Sequence, residues 1–144
     1  MLESMSVARK ISLIVMATFF VLAGINHFLH PRPYLAMIPP YVPFPRAMNV
    51  ISGVAEIIGG AAALFPRVRR AAGWGLIALL LAVFPANLHV ALHGWNGVNI
   101  PAWVLWARLP LQVALVAWVY AACLSTRELS DEKRRATDGT DSHR

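Results

Sequence analysis

The chain is short of charge, and most of what it has is confined to its two ends. Only 14% of the 144 residues are Asp, Glu, Lys or Arg, against roughly 25% in an ordinary soluble domain. Thirteen of the 20 charged residues lie in positions 1–10 and 125–144. The 114 residues between hold seven: Arg32, Arg46, Glu56, Arg67, Arg69, Arg70 and Arg108. Seven charges cannot clothe the surface of a soluble core of that size, so a soluble domain is excluded. Cysteine is nearly absent too. The single Cys123 rules out an internal disulfide and any C-x-x-C redox pair. The net charge of +6 arises from basic residues beside apolar runs, with no groove-reading pattern. That excludes nucleic acid as a partner and points to a lipid bilayer.

Apolar sequence fills the space that charge leaves, at 58% of residues. Four segments stand out, roughly Ile11–Leu29, Asn49–Phe65, Ala72–Leu92 and Pro101–Leu124. Each is near the ~20 residues needed to cross a ~30 Å hydrocarbon layer. Helix is the expected form, because unpaired backbone groups are prohibitively costly in lipid. The expected fold is therefore all-α, an integral membrane four-helix bundle over residues 1–124. Arg9 and Lys10 precede the first run in the manner of a signal peptide. The run exceeds the usual 7–15 apolar residues and no clean A-x-A site follows, so an uncleaved span is expected.

Basic residues orient the spans. The N-terminal tail, the short "PRVRR" connection at 66–70 and the C-terminal tail carry two, three and five Lys or Arg. The other two loops carry two and none. Positive residues favour the cytoplasm, which places both termini there in a multi-pass protein. The tail from 125 to 144 is polar and mixed in charge, and is expected to be disordered. The first loop, "HPRPYLAMIPPYVPFPR" (30–46), has six prolines and three aromatics. Proline removes backbone donors, so no regular helix runs through the whole of it. Tyr34, Tyr41 and Phe44 suit the interface, and the segment is read as a semi-rigid lid on the outer face.

With that orientation, depth follows at ~1.5 Å per residue. Asn26 and His27 close the first span on the outside. Glu56 enters about 10 Å on the second, Asn87 and His89 lie in the outer half of the third, and Arg108 with Gln112 one turn deeper lie in that of the fourth. Polar groups of all four helices thus converge in the outer half. Isolated charges at mid-membrane cost at least ~2.5–3.5 kcal/mol each on insertion scales. Glu56 is the only acid in any span and Arg108 the only base, so a Glu56–Arg108 pair is expected. Two readings of it are open, a structural lock or a ligand- or proton-handling site. The candidate cluster is His27, Glu56, Asn87, His89, Arg108 and Gln112. Ser52, Glu56 and Gly60 share a helix face whose small residues permit close approach. Pro85 and Pro110 each free a backbone carbonyl nearby. Haem ligation by His27 and His89 is disfavoured because both lie near the interface. A metal site from His27, Glu56 and His89 lacks any local spacing motif. His30 and His93 are read as interfacial, and Trp95, Trp103 and Trp106 as an aromatic belt.

Four blocks, "GINHFLHPRPYLAMIPPYVP", "SGVAEIIGGAAALFP", "AVFPANLHVAL" and "RLPLQVALVAWVY", in this order from Gly24 to Tyr120, resemble the DoxX-like family of small bacterial membrane proteins. The family's His-Phe matches His27 and Phe28, and its Ser-Gly with a downstream Glu matches Ser52, Gly53 and Glu56. Its Phe-Pro-Ala-Asn matches Phe84 to Asn87, and its Arg-Leu-Pro-Leu-Gln matches Arg108 to Gln112. The resemblance implies a four-helix protein of the bacterial cytoplasmic (inner) membrane, associated with redox complexes or with quinone and catechol stress. Relatives that handle thiols use cysteine pairs, which this chain lacks. The expectation is a redox-associated component binding a quinone or similar small lipophile, with a redox partner protein or a homo-oligomer supplying what the chain does not. A non-catalytic scaffold or assembly factor and a small-solute transporter are the alternatives. Nothing in the residues specifies catalytic turnover.

Overall fold

The computed structural model describes residues 6–125. They form five α-helices and no strand: α1 Val7–Leu29, α2 Pro31–Met37, α3 Pro45–Ala63, α4 Arg69–His93 and α5 Ala102–Val119. A π-helical turn, Tyr120–Leu124, continues α5. Three of the helices, α1, α4 and α5 with its π turn, are long and apolar enough to cross a membrane. This is the membrane character that the missing charge requires. The remaining long helix, α3, is diluted by Arg46, Asn49 and Glu56 and is not among those three. The polar tail from residue 126 onward lies outside the described residues.

Three of the four long helices start three or four residues before the apolar runs do, for local reasons. The Ser6 side chain accepts from the Arg9 amide and caps α1, which satisfies an otherwise orphaned donor. Pro45 opens α3 at the position where a missing N–H costs nothing. The Arg69 side chain, at the head of α4, donates to the Ala63 carbonyl at 2.9 Å and so closes the end of α3. Proline acts in the same way inside the first loop. Pro31 and Pro33 sit in the first turn of α2, so the one helical stretch of that loop begins where proline is tolerated and stops before Pro39.

The long helices alternate in direction and pack in the order α1, α3, α4, α5. Trp118 reaches back from α5 to α1, donating its indole N–H to Ser12 Oγ at 2.9 Å. The α1–α3 contact is the tightest. A Cβ on Gly24 would meet the Gly53 carbonyl oxygen at 2.5 Å, and one on Gly53 would meet His27 Cβ at 2.9 Å. Two turns further on, a Cβ on Gly60 would meet the Ala17 carbonyl at 2.9 Å. Only glycine lets two backbones approach this closely. Gly53 and Gly60, with Glu56 between them at helical spacing, are the small residues at the contact.

The apolar interior is in two parts. The larger holds Leu13, Met16, Phe20, Leu76, Ile77, Leu80 and Val119 with the π turn. The smaller, at the end that carries α2, is Met37, Val90 and Leu105, with Trp95 and Ile100 against it. His27 on α1, Asn87 and His89 on α4 and Arg108 on α5 fall in the half nearer α2, whereas Glu56 and Gln112 lie just past the middle of α3 and α5. Large apolar side chains such as Ile11, Leu22, Ile58, Leu81 and Val113 are more than half exposed, as lipid-facing positions are.

Candidate functional site

His27 is buried at the end of α1, and two residues of α3 hold it. Its Nδ1 lies 2.8 Å from Asn49 Oδ1, and Asn49 Nδ2 donates to the His27 backbone carbonyl at 3.1 Å. A carbonyl can only accept, so the second bond fixes the orientation of the Asn49 amide. Its oxygen therefore faces Nδ1, and Nδ1 must be the donor. Neutral His27 then presents a bare lone pair at Nε2. That atom faces Glu56 Oε2 at 3.5 Å, and Oε2 is buried with no hydrogen-bond partner.

Two acceptors cannot face one another in a buried site without cost. One proton resolves the conflict, carried either by His27 as imidazolium beside carboxylate or by Glu56 as carboxylic acid beside imidazole. Both forms are neutral overall. The pair thus stores one proton and no net charge, in a place where net charge is expensive.

Helix α2 covers this pair. The Tyr34 ring stacks on His27 with centroids 3.7 Å apart and planes at 26°. Asn26 Nδ2 donates to the Tyr34 hydroxyl at 2.7 Å, and Asn26 Oδ1 meets His30 Nδ1 at 2.9 Å. The same short helix reaches the other side of the site. The Pro33 carbonyl accepts from Trp95 Nε1 at 2.9 Å. Met37, three residues after Tyr34 and on the same helix face, receives an N–H from Arg108 on its sulfur at 3.5 Å. The Arg108 guanidinium lies over the Trp95 ring, 4.8 Å from its centroid, a cation–π arrangement.

The expected Glu56–Arg108 pair is therefore not formed. Glu56 pairs with His27, and Arg108 has no carboxylate partner among the described residues. The physical reason is lateral position. Similar depth makes a pair affordable, but α3 packs between α1 and α4 while α5 packs on the far side of α4. Gln112 is also committed elsewhere. Its Oε1 accepts from Asn87 Nδ2 at 2.7 Å, and its Nε2 donates to the Leu80 carbonyl. Leu80 is the neighbour of Leu81, whose carbonyl loses its helical donor at Pro85. This is a clamp between α4 and α5 in which the polar atoms satisfy one another.

His89 stands apart from the other candidates, stacked on His93 at 4.4 Å and edge-on to Tyr41. Among the described residues no three His, Cys, Asp or Glu side chains come together as a metal site would need. The sequence reasoning missed Asn49, Tyr34, Met37 and Trp95 as site residues. Asn49 left a signal, since it lies seven residues before Glu56 and shares its helix face. Tyr34 and Met37 left none, because the position of α2 is a matter of tertiary packing.

No curated protein and no solved structure matches this chain. Residues 16–123, which include every residue of the site, match the family model of a domain of unknown function, DUF8561, and the chain belongs to that family.

Proposed function

We propose that the protein is a redox-associated component of the bacterial cytoplasmic membrane that binds a quinone or a similar small lipophile at the α2 end. In this reading α3 crosses the bilayer with the other three long helices, both termini are cytoplasmic, and the α2 segment is a lid over the site on the outer face. The observation that carries it is the His27–Glu56 pair, which holds one movable proton under Tyr34. A quinone carbonyl needs a hydrogen-bond donor on binding and a proton on reduction, and this pair supplies either. Arg108, which meets no carboxylate among the described residues, is a second donor for the same ligand. Gln112 is not one, because both ends of its amide are spent inside the protein. The chain carries no cofactor motif, so electrons come from a partner protein. The resemblance of four ordered sequence blocks to the DoxX-like family supports the same reading.

The Asn87–Gln112 clamp favours the alternative of a non-catalytic scaffold or assembly factor, since it is a lock by its geometry. A small-solute transporter has less in its favour, because the Leu13, Met16, Phe20, Leu76 and Leu80 core fills the half of the structure away from α2. The test is solvent extraction and mass spectrometry of the protein purified in mild detergent, beside Glu56→Gln and His27→Phe variants checked for folding. A quinone or other lipophile retained by the wild type and lost from folded variants is the expected result. A ligand-free wild type, or retention unchanged in both folded variants, would move the assignment to the scaffold.

A further inference from the structure

The charges at the α2 end do not balance. The His27–Glu56 pair is neutral in either of its proton arrangements, which leaves Arg108 as a cation without an anion among the described residues. Its contacts are a thioether sulfur at 3.5 Å and an aromatic face at 4.8 Å. A thioether is a weak acceptor, and an indole face offers a quadrupole rather than a charge. The neighbouring titratable side chain is Tyr34, a phenol rather than a carboxylate. Most of the five guanidinium N–H donors thus have no acceptor among the described residues. Arg108 is also only half-buried, so a molecule from outside can reach it. The residue is six positions into α5, about 9 Å along the helix from Ala102, with Trp95 against its guanidinium. In the proposed topology that is the outer half of the bilayer, on the side where an amphiphile's headgroup approaches.

We infer that Arg108, with Trp95 beneath it and Met37 beside it, is a subsite for the monoanionic headgroup of an amphiphile, a carboxylate or a phosphate borne on an apolar tail. The inference rests on the proposed ligand site at the α2 end and specifies the charge of what enters it. A planar guanidinium forks onto two oxygens of a carboxylate or phosphate. Trp95 lies against the guanidinium at 4.8 Å, and its own indole N–H is tied to the Pro33 carbonyl at 2.9 Å. The apolar tail lies along exposed lipid-facing side chains such as Trp106 and Leu111. Glu56 does not compete for the cation, because His27 engages it at 3.5 Å.

The experiment is equilibrium binding of radiolabelled oleate and of its neutral methyl ester to the full-length protein in a non-ionic detergent. Phosphatidylglycerol against phosphatidylcholine is run in parallel by native mass spectrometry. Oleate is expected to bind about tenfold or more tightly than the ester, the scale of a charge-assisted hydrogen bond. The preference should vanish in Arg108→Gln and survive in part in Arg108→Lys. Selective retention of phosphatidylglycerol identifies a lipid headgroup as the source of the anion, and selectivity for oleate alone identifies a free amphiphilic acid. Equal binding of charged and neutral forms in both pairs, or a preference that persists in folded Arg108→Gln, overturns the subsite. If Arg108→Gln does not fold, the wild-type comparison of acid with ester still decides. Quinone retention is measured on the same samples. Retention without an anion preference removes this inference alone, whereas an anion preference without quinone removes the redox reading and leaves the subsite standing.

Discussion

Replacing Gly53 with alanine tests whether the close α1–α3 approach is what creates the proton-sharing pair. The added methyl would lie 2.9 Å from His27 Cβ, 2.9 Å from Phe28 Cε2 and 3.0 Å from the Gly24 carbonyl oxygen. Carbon atoms pack at about 3.5–4.0 Å, so the two helices must separate by roughly 0.6–1 Å at this point. One of the obstructing atoms is backbone and another is the first carbon of a buried side chain, so rotamer changes cannot absorb the shift. Overpacking of this kind costs about 1–3 kcal/mol. The functional consequence is sharper than the energetic one. His27 Nε2 and Glu56 Oε2 are 3.5 Å apart, already at the limit of hydrogen-bond reach, and separation of that size uncouples them. Stability is read by unfolding in mixed micelles of dodecyl sulfate and maltoside, and the proton by nitrogen-15 chemical shifts of the His27 ring. Gly75→Ala is the control, because a Cβ there meets nothing within 4 Å. It should be neutral or up to ~1 kcal/mol stabilising through helix propensity. A Gly53→Ala protein as stable as wild type, with unchanged His27 shifts, would refute the argument that glycine sets the geometry of the pair.

Asn49→Leu leaves both His27 Nδ1–H and the His27 carbonyl without partners. At about 1–3 kcal/mol for each of the two stranded buried groups, the loss should be roughly 2–6 kcal/mol. The same variant should lose the single His27 tautomer, so a ring spectrum identical to wild type would count against the assignment of Nδ1 as donor. For the α4–α5 clamp, a double-mutant cycle of Asn87→Leu and Gln112→Leu isolates the bond at 2.7 Å. A coupling of about 0.6–1.7 kcal/mol is expected for a hydrogen bond between membrane helices. A coupling of zero would mean that the amides find equal partners elsewhere.

The extent to which this protein is legible from its residues differs between one dimension and three. The scarcity of charge, the apolar runs and the prolines determine that the chain is helical, membrane-seeking, and polar toward one end of its helices. These are properties of position along a helix axis, and a rise of ~1.5 Å per residue converts sequence into depth without further information. His27, Asn87 and Arg108 stand toward the α2 end of their helices, and Glu56 and Gln112 near the middle of theirs. Which of them touch is a question of lateral neighbours, and depth says nothing about it. Glu56 and Arg108 look like partners on depth, yet α3 meets α1 rather than α5, so the acid found a histidine and the base found a tryptophan. The same holds for α2. Its prolines mark where it can begin and end, but only the tertiary structure lays it across the site, with Tyr34 on His27 and Met37 against Arg108. The glycines stand at the boundary between the two. Gly60 is legible with Ser52 as a small residue on the Glu56 face, whereas Gly24 and Gly53 are glycines that no spacing singles out. That two of them meet face to face, and so bring one proton between His27 and Glu56, was decided by how the helices pack.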